Sequence, residues 1–133
     1  MVRLLIFAML VLLISCSSNF GKLTFQAKLP ILLDENSGMV TYDGNTIWLI
    51  EDNGNKDNIY EVDLLGNILT SFSVKNAKNE DWEDLAKDTD GNLYIADIGN
   101  NDNDRKDLVI YKLPNPQKAP VDKIDAQKIK FNY

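Results

Sequence analysis

Acidic and amide side chains carry most of the chemistry this sequence offers. From Asp97 the chain reads Asp-Ile-Gly-Asn-Asn-Asp-Asn-Asp-Arg-Lys-Asp, which gathers Asp97, Asn100, Asn101, Asp102 and Asp104 in one short stretch. Hard oxygen ligands at that density suit calcium held in a flexible loop. Just upstream, Glu80-Asp81-Trp82-Glu83-Asp84 supplies more carboxylates, and Glu83 and Asp84 could meet the loop across a rim. The stretch is not an EF-hand. Counted from Asn100, the sixth position is Arg105 and the twelfth is Tyr111, where that motif has glycine and glutamate. The plain alternative is a solvated hairpin loop rich in turn formers. Neighbouring carboxylates can also raise one another's pKa for acid–base work, or simply bind backbone amides where a strand begins. Asp52, Asn53 and Trp82 are candidate ligand contacts; Trp82 reads more readily as a packing residue or rim platform than as a ligand stacker, and Trp48 as core.

Composition removes several kinds of chemistry. There is no histidine, so Ser-His-Asp and Cys-His catalysis and histidine metal sites are excluded. A formal charge of −6 argues against nucleic acid, whose binding draws strength from cationic contacts to phosphate. Lys118, Lys123, Lys128 and Lys130 are scattered and form no phosphate cradle. Cys16 is the only cysteine, so no internal disulfide can form. Ser37-Gly38 reads as a tight strand entry rather than a nucleophile.

The beginning of the chain concerns its address. Met1-Val2-Arg3 precedes an apolar run from Leu4 to Ile14, which leads into Leu13-Ile14-Ser15-Cys16. A basic start, a short apolar stretch and a small residue before a cut describe a secretory signal over residues 1–15. The ending resembles the lipobox of bacterial lipoproteins, which implies that Cys16 carries lipid and becomes the mature N-terminus. Residues 16–22 then form a polar tether. The alternatives are a plain secretory peptide or a hydrophobic N-terminal tether. With no acid directly after Cys16, a periplasm-facing outer-membrane position is expected for a Gram-negative source.

From residue 23 onward the pattern is that of strands. Leu23, Phe25 and Ala27 alternate with polar residues, as do Ile68, Thr70, Phe72 and Val74, and Ile129, Phe131 and Tyr133. Thr46–Ile50 and Leu93–Ala96 are apolar on both faces and suit inner strands. Asp43-Gly44-Asn45, Gly66-Asn67 and Asp90-Gly91-Asn92 mark turns. Pro114 to Pro120 reads as an extended connector.

The order of these signals repeats. Gly44 to Gly91 is 47 residues and Asp52 to Asp97 is 45, close to a four-stranded propeller blade of roughly 40–50 residues. The expectation is all-β: a partial β-propeller over residues 23–133, with about two four-stranded antiparallel blades and an extra N-terminal strand. Two unrelated hairpin sets in a small sandwich are the alternative. A ring needs about four to eight blades, so the chain is expected to be the N-terminal piece of a longer propeller. Up-and-down strands put the Asp43-Gly44 and Asp90-Gly91 hairpins on one rim. Asp34-Glu35, Glu51-Asp52, Glu80-Asp81, Glu83-Asp84 and the loop from Asp97 to Asp107 fall on the other, a mouth attractive to cations.

Asp34-Glu35-Asn36-Ser37-Gly38, the run from Asn58 to Asn67, Glu80-Asp81-Trp82-Glu83-Asp84-Leu85-Ala86 and Asp97-Ile98-Gly99-Asn100-Asn101 followed by Leu108 to Leu113 carry a likeness. Together they resemble exported bacterial propellers of the SdiA-regulated and NHL-like group, over about residues 23–133. That resemblance implies a lipid-anchored cell-envelope propeller that binds a ligand or protein partner. The competing expectation is a calcium-dependent phosphoesterase or lactonase-like hydrolase acting at the acidic mouth. A structural remnant without a working site is the third.

Overall fold

Aspartates set the lengths of the strands by organising the turns between them. In Asp63-Leu64-Leu65-Gly66-Asn67, Asp63 Oδ1 accepts from the Leu65 and Asn67 amides at 2.9 and 2.8 Å, and Oδ2 accepts from Asn67 Nδ2 at 2.9 Å. Asp88-Thr89-Asp90-Gly91-Asn92 repeats this network, with the Asp90 and Asn92 amides at 3.0 and 2.8 Å and Asn92 Nδ2 at 2.8 Å. Both glycines take left-handed φ, 85° at Gly66 and 84° at Gly91, which costs residues with a Cβ. Tyr94 also donates its hydroxyl to Asp88 at 2.9 Å.

The computed structural model describes Gly21, residues 23–120 and residues 122–131. Cys16, the apolar run before it and Tyr133 lie outside these residues. Among the described residues the architecture is all-β, with no α-helix and hence no helix able to cross a membrane. One sheet holds β1 (Asn36–Val40), β2 (Thr46–Glu51), β3 (Asn58–Asp63) and β4 (Ile68–Lys75) as an antiparallel meander. The other holds β5 (Trp82–Lys87), β6 (Leu93–Asp97), β7 (Val109–Leu113) and β9 (Gln127–Lys130), also antiparallel.

Pairing register makes the two sheets equivalent. In the first, Asn36 pairs with Glu51 and Gly38 with Ile50, with a bulge between; in the second, Trp82 pairs with Asp97 and Asp84 with Ala96, bulged at the same step. Leu49 then faces Tyr60 as Ile95 faces Tyr111. Trp48 and Tyr94 therefore correspond, as the repeat requires. The sheets stack front to back: Trp48, Ile50 and Ile59 of the first pack on Leu93, Ile95, Tyr111 and Leu113 of the second. Those second-sheet residues correspond to Ile47, Leu49, Tyr60 and Val62, which lie on the opposite face of the first sheet. Tyr42, beside the Asp43-Gly44 turn, donates its hydroxyl to Gly91 O at 2.9 Å, so both hairpins share one end.

Four expectations need correction. Leu23 to Ala27 forms no strand: Leu23 and Phe25 are 96% and 85% exposed, and the segment joins no ladder. Its alternation has no sheet edge to satisfy; Gln26 instead donates to Leu64 O at 3.3 Å, and Leu33 packs with Leu49, Tyr60 and Val62. The connector after Pro114 is not merely extended. It makes a 3-10 turn (Pro116–Lys118) and a short strand, β8 (Lys123–Asp125), which pairs parallel to β4 and makes the first sheet five-stranded. One buried apolar residue, Ile124, is too short a pattern to read as a strand. In β4 a bulge near Leu69 sets Ile68 against Val62, on the opposite face from Phe72 and Val74. Finally, Trp82 lies wholly inside, as described below.

The Asp88 network holds its carboxyl down to about 2, chiefly through the Asn92 side chain. A depressed folded pKa means stability present above the ordinary value of about 3.9 and lost as pH falls through the folded one. Asp88→Ala should lower the melting temperature at pH 6, and the gap from wild type should shrink as pH falls from 4 towards 2.

Candidate functional site

At the end away from the glycine hairpins, the loop joining the sheets is strapped to the first sheet by Asn79, through its side-chain amide and through its backbone amide, which donates to Asp57 Oδ1. Asn79 Nδ2 donates to the Glu51 and Asp52 carbonyls at 2.9 and 2.8 Å, while its Oδ1 accepts from the Trp82 amide at 3.1 Å. Asn79 thus caps the end of β2 and the start of β5 together. Asp81, between them, gives its amide to Asp97 Oδ1 at 3.1 Å, and its carbonyl accepts from the Gly99 amide at 3.1 Å. A Cβ on Gly99 would overlap the Asp81 carboxyl, so only glycine allows that approach.

These ties bring three acids together. Oxygens of Asp52, Asp81 and Glu83 lie within 4.8 Å of one another, and among the described residues this is the one group of three or more acids so arranged. Asp52 follows β2 in the first sheet; Asp81 and Glu83 belong to the entry of β5 in the second, Glu83 on the β5 bulge. Asp81 is only 9% exposed. Burial pushes its carboxyl up first, the touching Asp52 carboxyl pushes it further, and Arg105 opposes both. Glu83 is raised too, by burial and then by Asp81 and Asp52. Ligands of one calcium ion sit about 2.3–2.6 Å from it, so three oxygens at this spacing fit a shared ion.

The loop from Asp97 is arranged differently from a calcium loop. Asp97 is 1% exposed and pairs with Arg105 Nη1 at 2.9 Å. The same Nη1 donates to Gly99 O at 2.9 Å, and Arg105 Nε reaches Asp107 at 3.3 Å. Asn100 clasps the Arg105 backbone, accepting from its amide at 2.9 Å and donating to its carbonyl at 3.3 Å. The loop therefore closes around a guanidinium supplied by the chain itself. Asn101, Asp102 and Asp104 are exposed and stand apart from the acid group. Burial pushes the Asp97 carboxyl up, and Arg105 counters it.

The remaining candidates divide. Asp84 is exposed and its Oδ1 accepts from the Leu85 amide at 2.8 Å, an anchoring role. Asn53 is exposed, its amide donating to Asp52 Oδ1 at 2.6 Å. Trp82 is 0% exposed, donates Nε1 to Lys78 O at 3.0 Å and packs on Tyr111 with ring centroids 6.1 Å apart. It cannot touch a ligand from there. Missed at the sequence level were Asn79, Gly99 and the inward turn of Arg105. Period two along Leu93, Ile95 and Asp97 puts that aspartate on the buried face, and a buried carboxylate demands a cation nearby.

No protein-family model matches this chain, and neither curated proteins nor solved structures show a significant similarity to it.

Arg105→Ala should destabilise the fold by about 3–5 kcal/mol in urea unfolding, because it strands the buried Asp97 charge. The double variant Asp97→Leu with Arg105→Met should recover part of that loss, the Asp81 amide and the Gly99 carbonyl remaining without their partners. Gly99→Ala should lower the melting temperature, and less so when Asp81 is also alanine.

Proposed function

We propose that this chain is a lipid-anchored cell-envelope module of the β-propeller kind, whose acidic end binds calcium or the cationic group of a ligand. The observation that carries the binding reading is the group Asp52, Asp81 and Glu83, drawn from both sheets with Asp81 nearly buried. Support for the blade reading comes from equal registers, equal bulges and the front-to-back stack. The anchor reading rests on the basic start Met1-Val2-Arg3, the apolar run from Leu4 to Ile14 and the ending Leu13-Ile14-Ser15-Cys16.

Three carboxylates would fill part of calcium's six to eight oxygen positions. They would neutralise the ion and fix it between the sheets, joining the end of β2 to the start of β5. Because Asp81 and Glu83 hold their protons more tightly than ordinary acids, a cation competes with those protons, and affinity rises with pH. The hydrolase alternative has less support: Arg105 is committed to Asp97 and Gly99, so it is no free partner for a phosphate.

Thermal unfolding with added calcium tests the proposal. At a calcium concentration about a hundredfold above the dissociation constant, stabilisation should reach about 2.7 kcal/mol. Asp81→Asn should be more stable than wild type without calcium, since like-charge repulsion is gone, and should lose the calcium response. An unchanged melting temperature up to millimolar calcium would sink the cation reading.

A further inference from the structure

Both tryptophans are buried, but their indole N–H groups fare differently. Trp82 Nε1 donates to Lys78 O at 3.0 Å, whereas Trp48 Nε1 meets no acceptor among the described residues. A buried donor left in that state costs free energy until something accepts from it. Trp48, 1% exposed, lines a cleft of about 350 Å³, with Glu61, Thr70 and Phe72 on its own sheet and Pro116, Gln117 and Ala119 across from them. Register builds the sheet wall: Trp48 pairs with Glu61 and Glu61 with Thr70, so three neighbouring strands set these side chains in a row. Phe72 packs on Trp48 with ring centroids 5.7 Å apart. The face that builds the core through Ile50, Ile59 and Val74 thus turns polar here. Thr46 donates its hydroxyl to Glu61 Oε1 at 2.8 Å, which fixes the carboxylate and leaves it capacity for further donors. The facing wall is held by the turn after β7. Asn115 Oδ1 accepts from the Gln117 amide at 2.9 Å, and the Ala119 amide donates to Pro116 O at 3.1 Å.

The lining selects the occupant. Trp48 Nε1 needs an acceptor, which neither a bare metal ion nor an ammonium group supplies. Glu61 needs donors and brings a negative charge, and no lysine or arginine lines the cleft. A carboxylate or phosphate would therefore face that charge uncompensated. A hydroxyl accepts and donates at once, and Thr70 and Gln117 can answer it in either sense. We infer that this cleft binds an uncharged polyhydroxyl compound, a sugar or cyclic polyol, with one hydroxyl oxygen accepting from Trp48 Nε1 and a hydroxyl donating to Glu61. A volume near the lower end of the roughly 300–1,000 Å³ of small-molecule sites suits a single ring. The cleft shares no residue with Asp52, Asp81 and Glu83, so the inference goes beyond the cation proposal and stands without it.

Proton–nitrogen correlation spectra of the isotope-labelled full chain in detergent micelles test it, because its two tryptophans give two indole N–H signals, assigned through Trp48→Phe. Glucose, galactose and myo-inositol are the probes, each titrated to roughly 100 mM to cover millimolar dissociation constants. At least one should move the Trp48 signal saturably and leave the Trp82 signal in place. Glu61→Gln should weaken that binding by about tenfold or more, the loss of a hydrogen bond to a charged group. Gln117→Ala, on the exposed turn, should weaken it less, and it serves in place of Glu61→Gln should that variant lose its far-UV strand spectrum. No saturable Trp48 shift with any probe overturns the inference and leaves a cleft that holds water only. Equal movement of both indole signals overturns it too, as does binding indifferent to both substitutions. Tighter binding of acetate or methylammonium would overturn the uncharged class. The calcium response, recorded on the same samples, reports on the cation proposal separately, so either can fail alone.

Discussion

How closely the two sheets approach is set where their first strands meet. Gly38 on β1 lies so near β5 that a Cβ would stand 2.8 Å from the Leu85 amide and 2.9 Å from the Asp84 carbonyl carbon. Any larger residue would wedge these strands apart. From that approach follow both the closed core of Trp48, Ile50, Leu85 and Ile95 and the meeting of Asp52 with Asp81 and Glu83 at the strand ends. The acid cluster is therefore a by-product of apolar packing: the hydrophobic contact supplies the force that holds repelling carboxylates together.

Carboxylates in this chain fall into two regimes, and their surroundings explain the division. Asp43, Asp63 and Asp88 sit in exposed turns where amides point at them, so their proton affinity drops. Asp81, Glu83 and Asp97 sit at the other end, where burial comes first and raises theirs, with neighbouring acids adding to the rise at Asp81 and Glu83 and Arg105 opposing it at Asp97. Acid should loosen the turns at one end and relax the repulsion at the other. The first regime belongs to the turns and the second to the acid group, and the strands keep them a full sheet length apart.

Much of the fold was legible because period-two alternation and Asp-Gly or Gly-Asn turns report local geometry directly. The strands around Trp48, Tyr60, Tyr94 and Tyr111 could all be placed that way, and so could their repeated order. What failed depended on partners distant in sequence. Leu23 to Ala27 alternates like a strand, yet a strand exists only where an edge receives it. Ile124 makes a strand from almost no pattern because β4 offers such an edge. At the site, the acidic end was readable from topology, but its membership was not. Density of oxygen ligands favoured Asp102 and Asp104; burial and packing selected Asp81, through Asn79 and Gly99. Arg105 looked like one more charge in a polar loop until the buried side of Asp97 gave it a purpose.

β8 carries a consequence for how the molecule moves. After β7 the chain leaves the second sheet, adds a strand to the outer edge of the first, and returns to the second as β9. That path stitches the layers together twice, so neither can peel away without tearing β8 from its neighbour. Parting the layers therefore means breaking the β4–β8 ladder first, so the two sheets form one connected unit.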